Sequence, residues 1–259
     1  MITLTSDFGL KDPYVAEMKG VILSIHPKAT LVDITHEVEK FNIRMAAFML
    51  SSAAPYFPDG TVHLAVVDPE VGTRRRAIVV ESLKGFFVGP DNGILMLAAR
   101  TQDIKHIYEL TNPKLKFSKI SGTFHGRDIF APASAYLDKG IQPSEFGPEI
   151  KDPVQPAFTQ IEKDADSVIG EVLNIDGFGN IITNMTQKDL ADNAIETINV
   201  QLPQATLKLK FAKTYAEAKQ QQPITLVGSH GFLEIALNQG DAAKKFNVKV
   251  GEKIVVTAF

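Results

Sequence analysis

The sequence predicts an α/β protein of two domains: an N-terminal α/β domain with a mostly parallel sheet, and a small C-terminal antiparallel β-barrel domain. Over residues 1–155, short β-branched runs alternate with segments of helical periodicity, which is typical of a parallel sheet covered by helices. After the polar, proline-bearing stretch at 151–156, strand-like runs follow one another with turn signals between them. We therefore place the two domains at 1–155 and 156–259.

The first helix of the N-terminal domain has the clearest signals. Asp12 is a typical N-cap residue, Pro13 suits the first helical position, and apolar residues then recur at helical spacing up to Ile25. The other expected elements are strands at 2–5, 30–34, 61–67, 77–80 and 86–88, and helices at 42–52, 93–100 and 127–138.

The C-terminal domain is predicted to consist mainly of strands. They are expected at 167–175, 180–185, 197–202, 205–211, 224–227 and 253–257. The pair Asp176-Gly177 lies between the first two and is a strong signal for a hairpin turn. Residues 228–236 are expected to form a loop with a short strand after it.

Charge and hydropathy argue against two classes of partner. The chain has 27 Lys and Arg against 30 Asp and Glu, a formal net charge of −3, so it offers no basic field to a phosphate backbone and no nucleic-acid partner is expected. No stretch reaches the ~18 uninterrupted apolar residues of a transmembrane helix, so no membrane partner is expected. The first residues alternate like a strand and lack signal-peptide features, which predicts a cytoplasmic location.

The cysteine and motif content narrows the chemistry. With no cysteine, the chain cannot form disulfides, thiolate nucleophiles or cysteine zinc sites. Its six histidines form no HExxH or close HxH pair, so no metal site is predicted. It also has neither a GxGxxG motif nor a P-loop, the phosphate cradles of dinucleotide and nucleotide cofactors. His63 falls inside an expected strand and is interpreted as a core residue.

The leading candidates for chemistry are Asp68, Arg75 and His125. Asp68 and Arg75 follow a very apolar strand, and His125 stands between glycines just before a predicted helix. Taken singly, Asp68 with Pro69 is an ordinary strand-to-turn signal, and Arg75 belongs to a run of three arginines that is typical of a solvated surface. Their occurrence together at the carboxyl end of a strand favours a functional site.

Asp7 and Asp12 lie between the first strand and the first helix, where an open α/β sheet binds ligands. They are suited to a ribose diol and an ammonium group. The alternative is that both are capping residues, of a turn and of the helix.

Two glycine-rich loops of the C-terminal domain allow a similar pair of interpretations. Residues 176–180 form either a plain hairpin turn or a platform that presents an aromatic ring and an amide to a flat heterocycle. Residues 228–236 form either a plain loop and strand or a site for an amino-acid zwitterion.

Six ordered motifs resemble those of the S-adenosyl-L-methionine (SAM) hydrolases that form adenosine, a family related to the SAM-dependent fluorinases and chlorinases. They are Ser6-Asp7-Phe8-Gly9 with Asp12, Val67-Asp68-Pro69 with Val71-Gly72-Thr73 and Arg75, Gly89-Pro90-Asp91-Asn92-Gly93, Phe124-His125-Gly126-Arg127-Asp128, 176–180, and Gly228-Ser229 with Leu233-Glu234-Ile235-Ala236. The resemblance implies a Rossmann-like N-terminal domain, a C-terminal β-barrel and a homotrimer. Each site would lie between the N-terminal domain of one subunit and the C-terminal domain of its neighbour.

The resemblance also implies roles for individual residues. It makes Asp68, Arg75 and His125 the catalytic residues. The implied substrate-binding residues are Asp7 at the ribose diol, Asp12 and Ser229 at the methionine end, Phe178 and Asn180 near adenine, and Asp176 and Glu234 in the same matching motifs. Two positions depart from the family pattern. Glu70 replaces an expected glycine, where it either perturbs a nearby carboxylate or points to solvent, and His230 occupies a variable position.

The implied reaction is attack of water or hydroxide on C5′ of SAM, which releases adenosine and L-methionine. The sulfonium leaves as a neutral thioether, so the reaction needs neither a general acid at the leaving group nor a cofactor. We expect Arg75 to stabilise hydroxide, His125 to orient the nucleophile or accept a proton, and Asp68 to orient Arg75 rather than act as a base. The alternatives are a SAM-dependent halogenase and a non-catalytic protein that binds SAM or adenosine.

Overall fold

The computed structural model of the chain describes residues 1–164, 166–190 and 196–258. These residues form two compact units, Met1–Gln155 and Pro156–Phe259, here called the N-terminal and C-terminal units. Each unit has its own hydrophobic core.

The N-terminal unit contains one sheet and four α-helices. Its strands are β1 (Ile2–Ser6), β2 (Leu31–Thr35), β3 (Thr61–Val66), β4 (Ala77–Ser82), β5 (Gly85–Pro90) and β6 (Ile104–Glu109), and its helices are α1 (Tyr14–Ile25), α2 (Ile43–Ala53), α3 (Met96–Thr101) and α4 (Ala131–Asp138). The strand order is β2-β1-β3-β5-β4-β6. Every pair from β2 to β5 is parallel, while β4 is antiparallel to both of its neighbours, so five of the six strands run in one direction.

The central strand β3 explains how helices cover both faces of this sheet. Its side chains point alternately to opposite faces. Val62, Leu64 and Val66 belong to the cluster that includes residues of α1 and α4. Ala65 and Val67, on the opposite face, belong to the cluster that includes residues of α2 and α3. All six residues of β3 are buried, which accounts for the nearly continuous apolar run.

Three features of the N-terminal unit differ from the sequence-based expectation. Helix α1 begins at Tyr14 with Pro13 at its N-cap and no side-chain hydrogen bond there, so Asp12 does not cap the helix. The strand β6 was not predicted, because its polar residues, among them Lys105 and His106, lie at a half-exposed sheet edge and break the apolar pattern. The helix expected over 127–138 begins instead as a π-helix at Gly126–Phe130 and continues as α4. The wider π-turn immediately follows His125, one of the candidate catalytic residues.

The C-terminal unit is a nearly closed antiparallel barrel. Its described residues form the strands β7 (Glu162–Lys163), β8 (Val168–Ile175), β9 (Ile181–Thr186), β10 (Thr197–Leu202), β11 (Ala205–Lys210), β12 (Pro223–Val227), β13 (Phe232–Leu237) and β14 (Lys253–Ala258). A short helix, α5 (Ala242–Phe246), lies between β13 and β14. The order is β11-β10-β14-β8-β9-β13-β12, and β7 pairs with β8. A bridge between Phe211 and Thr225 brings the two ends of this order together.

The fold class predicted from the sequence is therefore confirmed. An α/β unit with a mostly parallel sheet is followed by an antiparallel barrel. Across the described ranges, the structure has no helix with the length and apolarity needed to cross a membrane.

Candidate active site

Asp7 follows directly after β1 and lies at the carboxyl edge of the parallel strands. It is buried, at 6% exposure. Its Oδ2 accepts a hydrogen bond from the Phe41 N–H at 2.9 Å, and its backbone carbonyl accepts one from Lys40 Nζ. Phe41 adopts a left-handed backbone conformation, with φ of 65°, which is unusual for an aromatic residue. The Asp7 carboxylate is therefore held in place by the loop that precedes α2.

Asp68 and Arg75 form a buried, bidentate ion pair just beyond β3. Arg75 Nε donates to Asp68 Oδ1 at 3.1 Å, and Arg75 Nη2 donates to Asp68 Oδ2. The two side chains are only 3% and 6% exposed. Both carboxylate oxygens are occupied by the guanidinium fork, which is the strongest pairing geometry available to these side chains. This arrangement suits Asp68 to orienting Arg75.

His125 completes the group through a second bond from the same guanidinium. Arg75 Nη2 lies 2.9 Å from His125 Nδ1. Because a guanidinium can only donate, Nδ1 must be the acceptor, and a neutral ring then carries its proton on Nε2. Burial, and after it the charge of Arg75, lowers the pKa of His125. At neutral pH the ring is therefore uncharged and offers an Nε2–H donor.

The remaining contacts of Arg75 fix the plane of its guanidinium. Nη1 donates to the Arg76 carbonyl at 3.0 Å, and the guanidinium lies 5.3 Å from the centre of the Phe130 ring. Among the described residues, these bonds use four of the five N–H groups of Arg75. The fifth N–H group, on Nη1, has no partner among these contacts.

A close backbone approach brings the two loops of this group together. Gly72 has φ of +80°, and a Cβ atom at that position would lie 2.2 Å from the carbonyl oxygen of Gly122. No other residue type fits there without movement of one loop. The loop with Asp68 and Arg75 thus packs directly on the loop that leads to His125.

A cavity of about 350 Å³ opens beside these residues. Its lining brings together three sequence-predicted polar residues: Asp7, Asp68 and His125. It also includes residues that were not predicted as site residues: Phe8, Tyr14, Lys40, Phe41, Val66, Val71, Thr123, Phe124 and Gly126. The rings of Phe8, Tyr14 and Phe124 pack against one another at 5.2 to 5.7 Å between centroids. Phe8 and Phe124 directly adjoin Asp7 and His125 in the sequence and belong to the same matching motifs, two signals that could have found them.

Three charged residues of the predicted region do not line this cavity. Arg75 is almost completely buried and is connected to the cavity through its bonds to Asp68 and His125. Asp12 is exposed in the turn before α1. Glu70 is also exposed, and its backbone carbonyl accepts hydrogen bonds from Thr73. Of the two alternatives for Glu70, the structure has the exposed one.

In the C-terminal unit, residues 176–180 form the turn between β8 and β9. Asp176 Oδ1 accepts the N–H groups of Phe178 and Asn180, and its Oδ2 accepts Asn180 Nδ2, all at 2.9 Å. Asp176 and Asn180 therefore shape the turn. The Phe178 side chain at its tip is 81% exposed. The hairpin interpretation and the platform interpretation are compatible, because the turn presents an aromatic ring to its surroundings.

The second predicted group of this unit lies at the β12–β13 turn. Ser229 and His230 are exposed on the turn. Glu234 is buried in β13, and its Oε2 accepts a hydrogen bond from the Tyr215 hydroxyl at 2.7 Å. Burial raises the pKa of Glu234, and the charge of Asp176 acts in the same direction.

Comparison with known proteins identifies the family of this chain. Residues 2–147 match the family model described as the SAM hydroxide adenosyltransferase N-terminal domain, and residues 170–255 match the corresponding C-terminal domain. The chain belongs to the SAM hydroxide adenosyltransferase family. The resemblance seen in the motifs is confirmed.

Several relatives of this family cover nearly the whole chain. Two relatives are named (R)-S-adenosyl-L-methionine hydrolase, and each is 37% identical to this chain. The one from Methanocaldococcus jannaschii aligns over 99% of this chain, and the one from Thermus thermophilus over 95%. Both alignments cover 95% of the relative's own length. A fluorinase from an Actinoplanes species is 28% identical over 99% of this chain and 97% of its own. A crystal structure of an uncharacterized conserved protein from Thermotoga maritima is 38% identical, with a TM-score of 0.85 and coverage of 99% and 100%.

Proposed function

We propose that this chain is a SAM hydrolase that releases adenosine and L-methionine. The observation that carries the proposal is the buried, hydrogen-bonded group of Asp68, Arg75 and His125. Two of its members, Asp68 and His125, line a cavity that Asp7 also lines. The relatives at 37% identity are named for hydrolysis of the (R) form of SAM, whereas the fluorinases are more distant at 27–28%. We therefore propose the (R)-sulfonium epimer as the substrate.

In the proposed step, an oxygen of water or hydroxide attacks C5′ of SAM as the bond from C5′ to sulfur breaks. The electron pair of that bond stays on sulfur, so methionine leaves as a neutral thioether. A water nucleophile also loses one proton, which passes to solvent. Because the leaving group needs no proton, the enzyme has to act mainly on the nucleophile, which must be held in line behind C5′.

The contacts of His125 and Asp68 favour stabilisation of hydroxide over general-base catalysis. His125 Nδ1 is occupied by Arg75, and its Nε2 carries a proton, so the neutral ring donates a hydrogen bond. Both oxygens of Asp68 accept from Arg75. In this proposal the Nε2–H of His125, which lines the cavity, donates to the developing negative charge. Arg75 stabilises that charge through its own positive charge and through its bond to His125. These contacts support an orienting role for His125.

The cavity supports a nucleoside substrate in size and lining. About 350 Å³ is within the usual range of small-molecule sites. In this proposal Asp7 binds the ribose diol, and the aromatic group around Phe124 provides an apolar wall for the sugar and sulfonium. Asp12, Asp176, Phe178, Asn180, Ser229 and Glu234 stay predicted substrate-binding residues.

The direct test is product analysis with two preparations of substrate, (S)-SAM alone and a mixture of the (S) and (R) epimers. We expect adenosine and methionine in equal amounts from the mixture, with the (R) epimer consumed. Addition of chloride or fluoride should not change the products. A halogenated adenosine would establish the halogenase alternative, and tight binding without any product would establish the non-catalytic one.

We further propose a homotrimer in which the N-terminal unit of one subunit and the C-terminal unit of its neighbour share a substrate. The family resemblance supports this arrangement, and so does the high exposure of Phe178 on its turn. Mixing inactive Arg75→Ala and Asn180→Ala subunits should restore part of the activity, since some shared sites would contain neither substitution. If the subunits exchange and no activity returns, the shared site is wrong.

The proposal also concerns the need for a cofactor and the location of the protein in the cell. The step as written needs no cofactor, because both the nucleophile and the leaving group are supplied by water and SAM. The cytoplasmic location expected from the sequence stays a prediction.

A further inference from the structure

The segment just after His125 carries charged residues that the proposed reaction does not use. Asp128 lies in the π-helix at Gly126–Phe130 and is completely buried. Its Oδ1 accepts a hydrogen bond from Arg127 Nε at 2.7 Å, and its Oδ2 accepts the Ser121 N–H at 2.7 Å. A buried carboxylate with both oxygens engaged cannot reach a substrate, so any effect on the reaction must pass through its neighbours.

Asp128 closes the loop that contains His125. Its side chain bonds Ser121, and its backbone carbonyl accepts the Phe117 N–H at 2.9 Å. Its own N–H donates to the Phe124 carbonyl at 3.2 Å. Three hydrogen bonds to Asp128 therefore hold the segment 117–128 in place.

Arg127 connects this loop to α1 and to the cavity wall. Its Nη1 donates to Glu17 Oε2 at 2.8 Å, and its guanidinium lies 5.0 Å from the centre of the Phe124 ring. The hydrogen bond to Asp128, and after it the hydrogen bond to Glu17, raise the pKa of Arg127, so it remains a cation throughout the working pH range. The ion-paired group of Glu17, Arg127 and Asp128 therefore fixes the loop to α1.

The position of this loop sets the contact between Arg75 and His125. Gly122 lies in the tied segment, and its carbonyl oxygen is the atom that a Cβ on Gly72 would meet at 2.2 Å. A shift of the loop by a few tenths of an ångström would change both this approach and the 2.9 Å distance from Arg75 to His125. Small displacements of this size are sufficient to impair catalysis.

We propose that Asp128, held by Arg127, is a positioning residue that keeps His125 in its Nε2–H form against Arg75. The expected effect on kcat rests on the proposed function. The expected effect on the tautomer of the His125 imidazole does not depend on it. The Asp128 carboxylate holds two donors at once. An asparagine at this position can accept one of them and must turn its own N–H groups toward the other.

The experiment compares Asp128→Asn and Arg127→Gln with a matched control, Asp91→Asn. Asp91 has the same pair of bonds, from an arginine Nε and a backbone N–H, both at 2.8 Å, and its side chain is 1% exposed. Each variant is measured for kcat and KM in methionine release, for thermal stability, and for the ¹⁵N signals of the His125 ring in substrate-free protein. The His125 signals are assigned by their loss in His125→Gln.

We expect Asp128→Asn and Arg127→Gln to lower kcat by about ten-fold or more while KM changes less than about three-fold. Their His125 signals should move from the Nε2–H form toward an average of the two tautomers. Asp91→Asn should lose comparable thermal stability and keep the wild-type kcat and His125 signals. This pattern would separate positioning from a general loss of stability.

Either of two outcomes overturns the proposal: Asp128→Asn with wild-type kcat and unchanged His125 signals, or Asp91→Asn with the same losses as Asp128→Asn. If the wild-type protein releases no methionine from SAM, the proposed function fails. The His125 signals still test the positioning inference in that case, because they are read without substrate.

Discussion

The ion pair of Asp68 and Arg75 allows stability and catalysis to be separated by substitution. Arg75→Met keeps the apolar stem that packs near Phe130 but removes the guanidinium. Since both side chains are almost completely buried, the substitution leaves an unpaired carboxylate in the interior. Breaking a buried pair in this way costs about 3–5 kcal/mol in the free energy of unfolding.

A second substitution tests whether that cost comes from the stranded charge. In the double variant Asp68→Asn with Arg75→Met, the residue at 68 is a neutral amide, so we expect at least half of the lost stability to return. Catalysis should not return, because the guanidinium that holds His125 and supplies the positive charge is absent in both variants. We expect kcat to fall by roughly 10²- to 10³-fold in each, the effect of removing one preorganised donor.

The assays are urea unfolding at one fixed protein concentration and initial rates of methionine release. A fixed concentration is needed because any oligomer would make the apparent stability depend on it. The reasoning is refuted if Arg75→Met is as stable as the wild type, or if the double variant recovers its activity along with its stability.

Three further predictions concern other parts of the fold. Burial lowers the pKa of His63 to about 4 from its ordinary value of 6.5. Between these two pH values the unfolded chain therefore binds more protons at His63 than the folded chain does. The free energy of unfolding should fall by roughly 3 kcal/mol from pH 7 to pH 4. Urea unfolding of His63→Gln should show much less of this fall, and an equal fall would contradict the assignment. Gly72→Ala should lower kcat by about ten-fold or more. The control Gly60→Ala should keep the wild-type kcat, because Gly60 has a similar φ of +83° but no atom near an added Cβ. Equal kcat values in the two variants would contradict the close-approach argument. Asp7→Asn should raise KM by about ten-fold or more with little change in kcat, and a change in kcat alone would remove Asp7 from the binding group.

The sequence predicted the architecture well because two periodicities dominate it. Apolar residues at helical spacing located α1, and the long apolar run located β3. The edge strand β6 was missed because an exposed edge does not need an apolar pattern. The π-helix after His125 was missed for another reason: one additional residue in a turn leaves the local composition unchanged.

The candidate site was predictable where chemistry and sequence position coincide. Asp68 precedes a proline just after an apolar strand, His125 precedes a glycine, and Arg75 follows Asp68 by seven residues, so residue types and positions suggested a site. Tyr14, Lys40 and Phe41 could not be found in this way. They reach the cavity from separate elements, and only the three-dimensional arrangement brings them to Asp7.

Some roles also required geometry that a sequence does not contain. The motifs left open whether His125 orients the nucleophile or accepts its proton. The 2.9 Å bond from Arg75 to Nδ1 supports orientation of the nucleophile, because only one ring nitrogen of a neutral imidazole can accept.

The central claim, attack of a water-derived oxygen on C5′ of SAM, is tested most directly by turnover in ¹⁸O-labelled water. The account predicts adenosine with one ¹⁸O atom at its 5′-hydroxyl and methionine without label, because the bond from C5′ to sulfur is the one that breaks. Unlabelled adenosine, label in methionine, or a 5′-halogenated nucleoside in the presence of halide would contradict it.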